Sequence, residues 1–312
     1  MIYFFKEKKI LYPFSYFTQD KYLDKDYIEE HKLVSSLLFF QRDYKKDLLF
    51  KKEIYKKDDI IINLYQYKNI FLIEKKHDYI SNEYFIGIYT INLLRSIIPT
   101  FTYTYFKLSK KLWLEYNSGN TFYSYLKNFE HKKIDDIIIK EEGNNYLSIF
   151  FQIISSLEVS QEQCLFTHYD LHLENIMINK NVLKKDLLFP IGYNNYSFIS
   201  PKYIISILDY EYSCSRYKDK IINTLKPFLF NYGYFSIFFS GVDILRVLFS
   251  FYYNFYSLQN NLFIEKIYSF HNFIFKNFYK IPIEKLDYKS LQYHSTYIFN
   301  LTFSKKIYKT PY

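Results

Sequence analysis

Residues 164–179 read Cys-Leu-Phe-Thr-His-Tyr-Asp-Leu-His-Leu-Glu-Asn-Ile-Met-Ile-Asn and carry the most informative pattern of this chain. The pattern is H-x-D-L-x-x-x-N, and its members are His168, Asp170, Leu171 and Asn175. This spacing can put the carboxylate beside a nucleophilic hydroxyl while the amide oxygen binds a metal ion, as phosphoryl transfer requires.

A second acidic residue follows an apolar, strand-like run further along the chain. Residues 203–209 read Tyr-Ile-Ile-Ser-Ile-Leu-Asp, so Asp209 stands at the end of that run. A carboxylate there could hold magnesium, because Mg²⁺ prefers oxygen ligands. The two segments together make an ATP-dependent kinase the leading hypothesis.

Composition indicates a globular chain, and its positive net charge suits an acidic partner. The 312 residues are 49% hydrophobic, which is enough for one large domain or two lobes with a substantial core. A net charge of +9 suits ATP, nucleic acid or a membrane surface. The lysines occur in short scattered runs and not in a long basic block, so we expect no nucleic-acid binding.

Cysteine usage and hydropathy bear on compartment and membrane. Only Cys164 and Cys214 are present, which indicates a reducing, intracellular and cytoplasmic protein without a disulfide framework. Residues 228–256 are apolar enough to raise the question of a membrane span, but Asp243 and Arg246 fall in their middle. We therefore predict a buried helix there and no membrane span. The apolar run at the N-terminus ends at Lys6 and is too short for the core of a signal peptide.

Periodicity predicts strands first and helices later. Runs 59–65 and 70–74 predict a β-hairpin around residues 66–69, and apolar spacing predicts a helix over 79–98 that Pro99 ends. Further predicted elements are a strand over 112–116, a helix over 145–158, strand-like pieces at 164–168, 176–179 and 203–209, and helices after about 222. This order indicates an α+β arrangement with a small sheet lobe and a larger helical lobe.

The chain resembles the protein-kinase-like superfamily over about residues 59–250, most strongly over 145–213. Segments 168–172 (His-Tyr-Asp-Leu-His) and 209–211 (Asp-Tyr-Glu) are also similar to choline and aminoglycoside kinases. Kinase-like proteins of large DNA viruses look similar too.

The resemblance implies a bilobal protein-kinase-like fold. Its N-lobe would span residues 1–116 and include the helix over 79–98. The C-lobe would span 117–312, with a catalytic loop at 166–175 and a metal-binding segment at 203–213.

The resemblance also implies roles for individual residues, with ATP and Mg²⁺ as cofactors. Asp170 would accept or orient the proton of the substrate hydroxyl, and Asn175 and Asp209 would hold Mg²⁺ on the phosphates. Lys75 would reach the phosphates and be held by Glu83, with Lys76 as the less suitable alternative.

Other positions carry supporting roles under the same resemblance. The strand containing Glu115 and Tyr116, followed by Gly119, resembles the hinge whose backbone binds adenine. His168 is expected to be a structural histidine. Asp243 resembles the buried helix residue that supports the catalytic loop.

Departures from the usual protein-kinase pattern leave three readings open. No glycine precedes Gly87, so the glycine-rich phosphate loop is missing, and this predicts weak or atypical nucleotide binding. Tyr169 replaces an arginine, Glu211 stands in place of a glycine, and an insertion is expected around residues 194–200.

The first reading is a Ser/Thr protein kinase. The second is a kinase of a small alcohol such as choline or an aminoglycoside, favoured by His172 and Glu211. The third is a pseudokinase that acts as a binding module, favoured by the missing glycines.

Overall fold

The structure is a computed structural model, and it describes residues 48–67, 70–77, 80–95, 97–130, 135–181, 187–191, 195–218, 220–222, 238, 241–255 and 261–279. Several predictions made from the sequence lie outside these residues. They concern residues 1–47, the turn at 68–69, the first residue of the 79–98 helix, most of 228–240 and the chain beyond 279.

The N-terminal part is a five-stranded antiparallel sheet in the order β1-β2-β3-β5-β4. Its strands are β1 Leu48–Lys57, β2 Ile60–Tyr67, β3 Ile70–Lys76, β4 Thr104–Leu108 and β5 Lys111–Glu115. β-Branched and aromatic residues dominate β2, as a half-buried pleated surface favours. The predicted hairpin is confirmed as β2 and β3, and the predicted strand over 112–116 as β5. Strand β4 was not predicted.

The two faces of this sheet bury different groups, because side chains alternate along each strand. Leu72 and Trp113 belong to an aromatic-rich cluster on one face. On the other face, Lys75 is opposite Leu112 in the register, and Leu112 packs with Ile80 of the following helix. Lys75 therefore faces the helix and the interior.

Helix α1 runs from Ile80–Ile86 through a π-helical segment, Gly87–Ile91, to a last turn at Asn92–Leu94. It corresponds to the helix predicted over 79–98 but ends earlier. Arg95 closes it by donating to the carbonyls of Pro99 and Phe101, each at 2.6 Å.

The C-terminal part is mainly helical. Its helices are α2 Phe122–Lys127, α3 Asp136–Cys164, α4 Val242–Phe255 and α5 Leu262–Ile274, the last followed by a π-helical segment, Phe275–Tyr279. Helix α3 is longer than the predicted 145–158, and Asp135 caps its start by accepting from the Ile138 N–H at 2.8 Å.

Short strands complete this part. They are β6 Asn120–Thr121, β7 Ile176–Lys180, β8 Leu187–Ile191, β9 Asn195–Ile199, β10 Tyr203–Ile207, β11 Ser215–Tyr217 and β12 Lys220–Ile222. Strands β6, β7 and β10 form one sheet, in the order β10-β7-β6. Strands β8 and β9 pair as a hairpin in the region where the sequence predicts an insertion, around residues 194–200, and that insertion stays a prediction.

The predicted strand at 164–168 is wrong. Cys164 is the last residue of α3, and Leu165 leaves the helix in the left-handed conformation with φ 49°. Only Thr167 in this stretch pairs in β fashion, through an isolated bridge to Cys214. The stretch is therefore a helix end followed by a loop.

The fold class is the predicted α+β, kinase-like and bilobal arrangement, with a β-rich N-terminal part and a helical C-terminal part. The largest apolar cluster joins residues of α1, α3, α4 and α5 to β7 and β10. Within the described ranges, no helix has both the length and the apolar character to cross a bilayer.

Gly119 provides a test of how the chain passes from β5 to β6. A Cβ atom there would lie 2.0 Å from the backbone oxygen of Ile178 in β7, whereas a Cβ at Gly143 in α3 would meet nothing within 4 Å. We expect Gly119→Ala to lower the free energy of unfolding by about 1–3 kcal/mol through overpacking. Gly143→Ala should raise it by about 0.5–1 kcal/mol, because alanine suits a helix better.

Urea unfolding of the two variants beside the wild type measures both changes. Equal stability of the two variants would contradict the close approach of Gly119 to β7.

Candidate active site

The amino group of Lys75 lies among three carboxylates. Its Nζ is 2.8 Å from Glu83, 2.7 Å from Asp209 and 3.5 Å from Glu211. Lys75 belongs to β3, Glu83 to α1, and the other two acids follow β10. Three separate parts of the chain therefore converge on one ammonium group.

The charges at this point are strongly coupled. Burial alone would lower the pKa of Lys75, but the three carboxylates outweigh it and raise the pKa well above its usual value. For the acid Asp209, burial acts in the opposite direction and raises the pKa, but Lys75 outweighs burial and holds that pKa below its ordinary value. Burial raises the pKa of Glu83 to about 7, and the two other acids act in the same direction, against Lys75. Lys75 therefore stays charged among more acids than it can neutralise.

The Lys75–Glu83 contact forms although the two residues are only eight positions apart. Helix α1 begins at Ile80, directly after β3, so that Glu83 lies in its first turn and faces the sheet. Lys76, the alternative, is exposed and alternates to the other face. The geometry therefore favours Lys75 over Lys76 as the partner of Glu83.

Asn82 attaches α1 to the chain around Asp209. Its Nδ2 donates to the carbonyl oxygens of Glu211 and Ser213, both at 2.8 Å, and the residue is 1% exposed. These bonds fix the backbone on the C-terminal side of Asp209. Asn82 could not be recognised from the sequence, because its partners lie 129 and 131 residues away.

Asp243 of α4 binds the backbone of the predicted catalytic loop. Its two carboxylate oxygens accept from the backbone N–H groups of His168 and Tyr169, both at 2.9 Å, and the residue is fully buried. Burial raises the pKa of Asp243 to about 6, although these two bonds act against it. The buried acid within an apolar helix thus has two specific partners.

His168 connects the two acidic segments. Its Nε2 lies 2.7 Å from the carbonyl oxygen of Leu208, and its Nδ1 accepts from the Asp170 N–H at 3.3 Å. Burial lowers the pKa of His168 to about 4, so the ring is neutral and Nε2 carries the proton. His168 is structural, as expected from the sequence, and it holds Asp170 near the residue that precedes Asp209.

Asp170 lies in the predicted catalytic loop, and its side chain is 20% exposed. His172 Nε2 is 3.7 Å from one carboxylate oxygen, and the buried guanidinium of Arg246 is 3.9 Å from the other. Burial raises the pKa of Asp170 to about 6, while His172 and Arg246 act to lower it. The sequence pattern indicated no role for Arg246 at this site.

Asn175 and Asp209 are brought together through the backbone. The Asn175 Nδ2 donates to the carbonyl of Asp170 at 2.9 Å, and the Asn175 carbonyl accepts from the Leu208 N–H at 3.0 Å. Tyr169 and Asp209 both have left-handed backbone conformations, with φ 66° and 63°. Such conformations in non-glycine residues often accompany functional sites.

The predicted hinge residues behave differently from each other. The Glu115 carboxylate binds Arg95 Nη2 at 3.2 Å and accepts from the Tyr103 N–H at 3.0 Å, so it is engaged inside the protein. The Tyr116 ring packs against Phe71 with their centroids 5.9 Å apart. Contact of either residue with adenine stays a prediction. For Glu115, the backbone and not the carboxylate would make that contact.

Oxygen atoms of Glu83, Asp209 and Glu211 all lie within 4.8 Å of one another. Hard cations such as Mg²⁺ bind oxygen ligands, but here the Lys75 ammonium lies 2.7–3.5 Å from all three acids and takes the place of a metal ion shared by them. The sequence predicted Asn175 with Asp209 as the metal ligands, and that pairing stays a prediction. Glu211, noted in the sequence only as a departure, is an additional buried acid at the site.

Comparison with known proteins supports a kinase-like fold. The family described as "Haspin like kinase domain" matches residues 86–241, which is half of the chain. A protein of Invertebrate iridescent virus 6, named "Uncharacterized protein 179R", is 29% identical over 197 residues, covering 57% of this chain and 16% of that protein. "Probable kinase 098L" of Invertebrate iridescent virus 3 is 26% identical over 154 residues, covering 48% and 26%. The chain thus spans well under half the length of these two relatives.

The support that Asp243 gives to the loop can be tested directly. Asp243→Ala would leave two buried N–H groups without their acceptor, at a cost of about 1–3 kcal/mol for each. We expect lower stability in urea, and faster hydrogen exchange at the amides of residues 168 and 169. Asp136→Ala, at an exposed acid of α3, is the control and should leave both amides unchanged. Unchanged exchange in Asp243→Ala would contradict the assigned role.

Proposed function

Because the chain belongs to the haspin-like kinase domain family, we propose that it is an ATP- and Mg²⁺-dependent phosphotransferase that acts on a hydroxyl group. The observation that carries the proposal is the bridge from Lys75 to Glu83 and Asp209, at 2.8 and 2.7 Å. Kinases need such a lysine held by a helix acid, next to the acid that binds the metal.

Each residue then has a defined task. Lys75 contacts the ATP phosphates, and Glu83 keeps its side chain extended toward them. Asn175 and Asp209 would hold Mg²⁺, with Asn175 Oδ1 as the metal-binding atom, since its Nδ2 donates to Asp170. When bound, the ion would neutralise charge on the transferred phosphate. The backbone near Glu115 and Tyr116 would bind adenine, at the junction between lobes 1–116 and 117–312.

Asp170 is proposed to receive the proton of the acceptor hydroxyl. The acceptor oxygen bonds to the γ-phosphorus, the bond from that phosphorus to the β–γ bridging oxygen breaks, and ADP leaves with the electron pair. A carboxylate with a pKa of about 6 is ionised at neutral pH and still accepts a proton readily. His168 and Asp243 hold its loop in place.

The acceptor is proposed to be a protein Ser or Thr hydroxyl, in keeping with a family related to protein kinases. Acceptors such as choline or an aminoglycoside are the alternative, for which His172 beside Asp170 and the acid Glu211 are the supporting features. A pseudokinase that binds nucleotide without turnover is the third possibility, and the absence of glycine before Gly87 supports it.

Asp170→Asn separates these functions. It removes the proton acceptor but retains the shape of the side chain, so we expect phosphoryl transfer to fall by about 10²–10⁴-fold. The affinity for Mg-ATP should stay nearly unchanged. Radiolabel transfer to a generic protein substrate, to choline and to kanamycin measures turnover, and calorimetry measures nucleotide affinity.

The exposed Asp136→Asn serves as the matched control and should retain full activity. An equal loss of affinity and turnover in Asp170→Asn would contradict the role of Asp170. Wild-type protein that binds Mg-ATP but labels none of the three substrates would favour the pseudokinase.

A further inference from the structure

The β1–β2 turn lies beside the end of β3, the strand that carries Lys75. Lys57 pairs with Ile60, so the turn consists of Asp58 and Asp59 alone. In the next pair of strands Ile61 is opposite Lys76, which sets this turn beside the end of β3. The turn therefore lies close to His77, two residues after Lys75.

This turn reaches its tight geometry without glycine. Asp58 has φ 50°, in the left-handed region that aspartate tolerates better than most residues. Glycine usually permits a close backbone approach to phosphate, and here that freedom is missing. A glycine-free turn needs another means of staying in position over a nucleotide.

His77 supplies a physical connection between the turn and the site. Its Nε2 lies 3.5 Å from Asp59 Oδ2, and its Nδ1 lies 3.3 Å from Glu211 Oε2. The Glu211 oxygen is in turn 3.5 Å from Lys75 Nζ. A chain of polar contacts thus runs from the turn, through His77 and Glu211, to the central lysine.

The inner end of this connection is buried, whereas its outer end, Asp59, is exposed. The side chains of His77 and Glu211 are 7% and 6% exposed, while that of Asp59 is 56% exposed. Burying an acid costs free energy unless it is paired and hydrogen-bonded. Asn82 fixes the Glu211 backbone at 2.8 Å, and Lys75 and His77 face its carboxylate.

We infer that His77 is a positioning residue that fastens the glycine-free β1–β2 turn over the nucleotide phosphates by joining Asp59 to Glu211. The inference rests on the proposed function, because it takes Mg-ATP as the ligand. A restrained turn loses less conformational freedom when nucleotide binds, so the contact favours ATP affinity. Asp170, which carries the chemistry, is not part of this chain of contacts.

A double-mutant cycle between the turn and the histidine tests the inference. His77→Leu and Asp59→Asn should each raise the KM for ATP by about 3- to 10-fold, as loss of one partly exposed polar contact does. The kcat should change less than 2-fold. The double variant should resemble His77→Leu alone, since loss of the histidine already breaks the contact that Asp59→Asn weakens.

Asp58→Asn is the matched control, because it removes the same charge from the same turn and asparagine also tolerates a positive φ. Its effect should simply add to that of His77→Leu. Indistinguishable behaviour of the Asp58 and Asp59 variants, additivity in both cycles, or a fall in kcat as large as the rise in KM would overturn the inference.

Hydrogen exchange in nucleotide-free protein distinguishes failure of this inference from failure of the proposed function. His77→Leu and Asp59→Asn should speed exchange at the amides of residues 57–61, and Asp58→Asn should not. Unchanged exchange, with wild-type Mg-ATP binding intact, overturns the role of His77 alone. Wild-type protein that shows no Mg-ATP binding in calorimetry overturns both the proposed function and the inference.

Discussion

The candidate site depends on one buried ammonium group that three acids share. Lys75 links the sheet to α1 through Glu83 and to the segment after β10 through Asp209. Removing one partner of a buried ion pair costs about 3–5 kcal/mol, because the remaining charge loses its compensation. The lysine is therefore both a structural link between the two parts and the group proposed to meet the phosphates. A third acid, Glu211, makes the surroundings of Lys75 more negative than a single ammonium neutralises.

A second set of contacts prepares the loop on which turnover is proposed to depend. Asp243 accepts two backbone N–H groups of the loop, and His168 connects Asp170 to Leu208. The bonds to Asp243 are buried and those of His168 are partly buried, and together they leave the Asp170 carboxylate 20% exposed. Rigid support of a reactive group by surrounding bonds is how proteins preorganise a site. The same bonds explain why charged and polar residues persist inside an otherwise apolar part of the chain.

The sequence predicted what lies within single segments. The H-x-D-L-x-x-x-N spacing, the acid after the 203–208 run and the buried Asp243 could all be recognised, and so could Lys75 with Glu83. Spacing says nothing about which side chains of distant segments meet in space, and the contact of Asp243 with the loop was expected only from the resemblance to kinases. Asn82 and His77 were missed for this reason. Helix α3 was predicted too short because Ile137 and Ile138 near its start are exposed and obscure its apolar face.

The most direct test of the account compares two neighbouring lysines by calorimetry with Mg-ATP. Lys75→Met removes the shared ammonium group, and Lys76→Met removes an exposed one from the next position of the same strand. The account predicts that Lys75→Met loses Mg-ATP binding by at least about 10-fold, since charge-assisted contacts to phosphate contribute well over 1 kcal/mol. It also predicts that Lys76→Met binds like the wild type. Equal affinities of the two variants would contradict it.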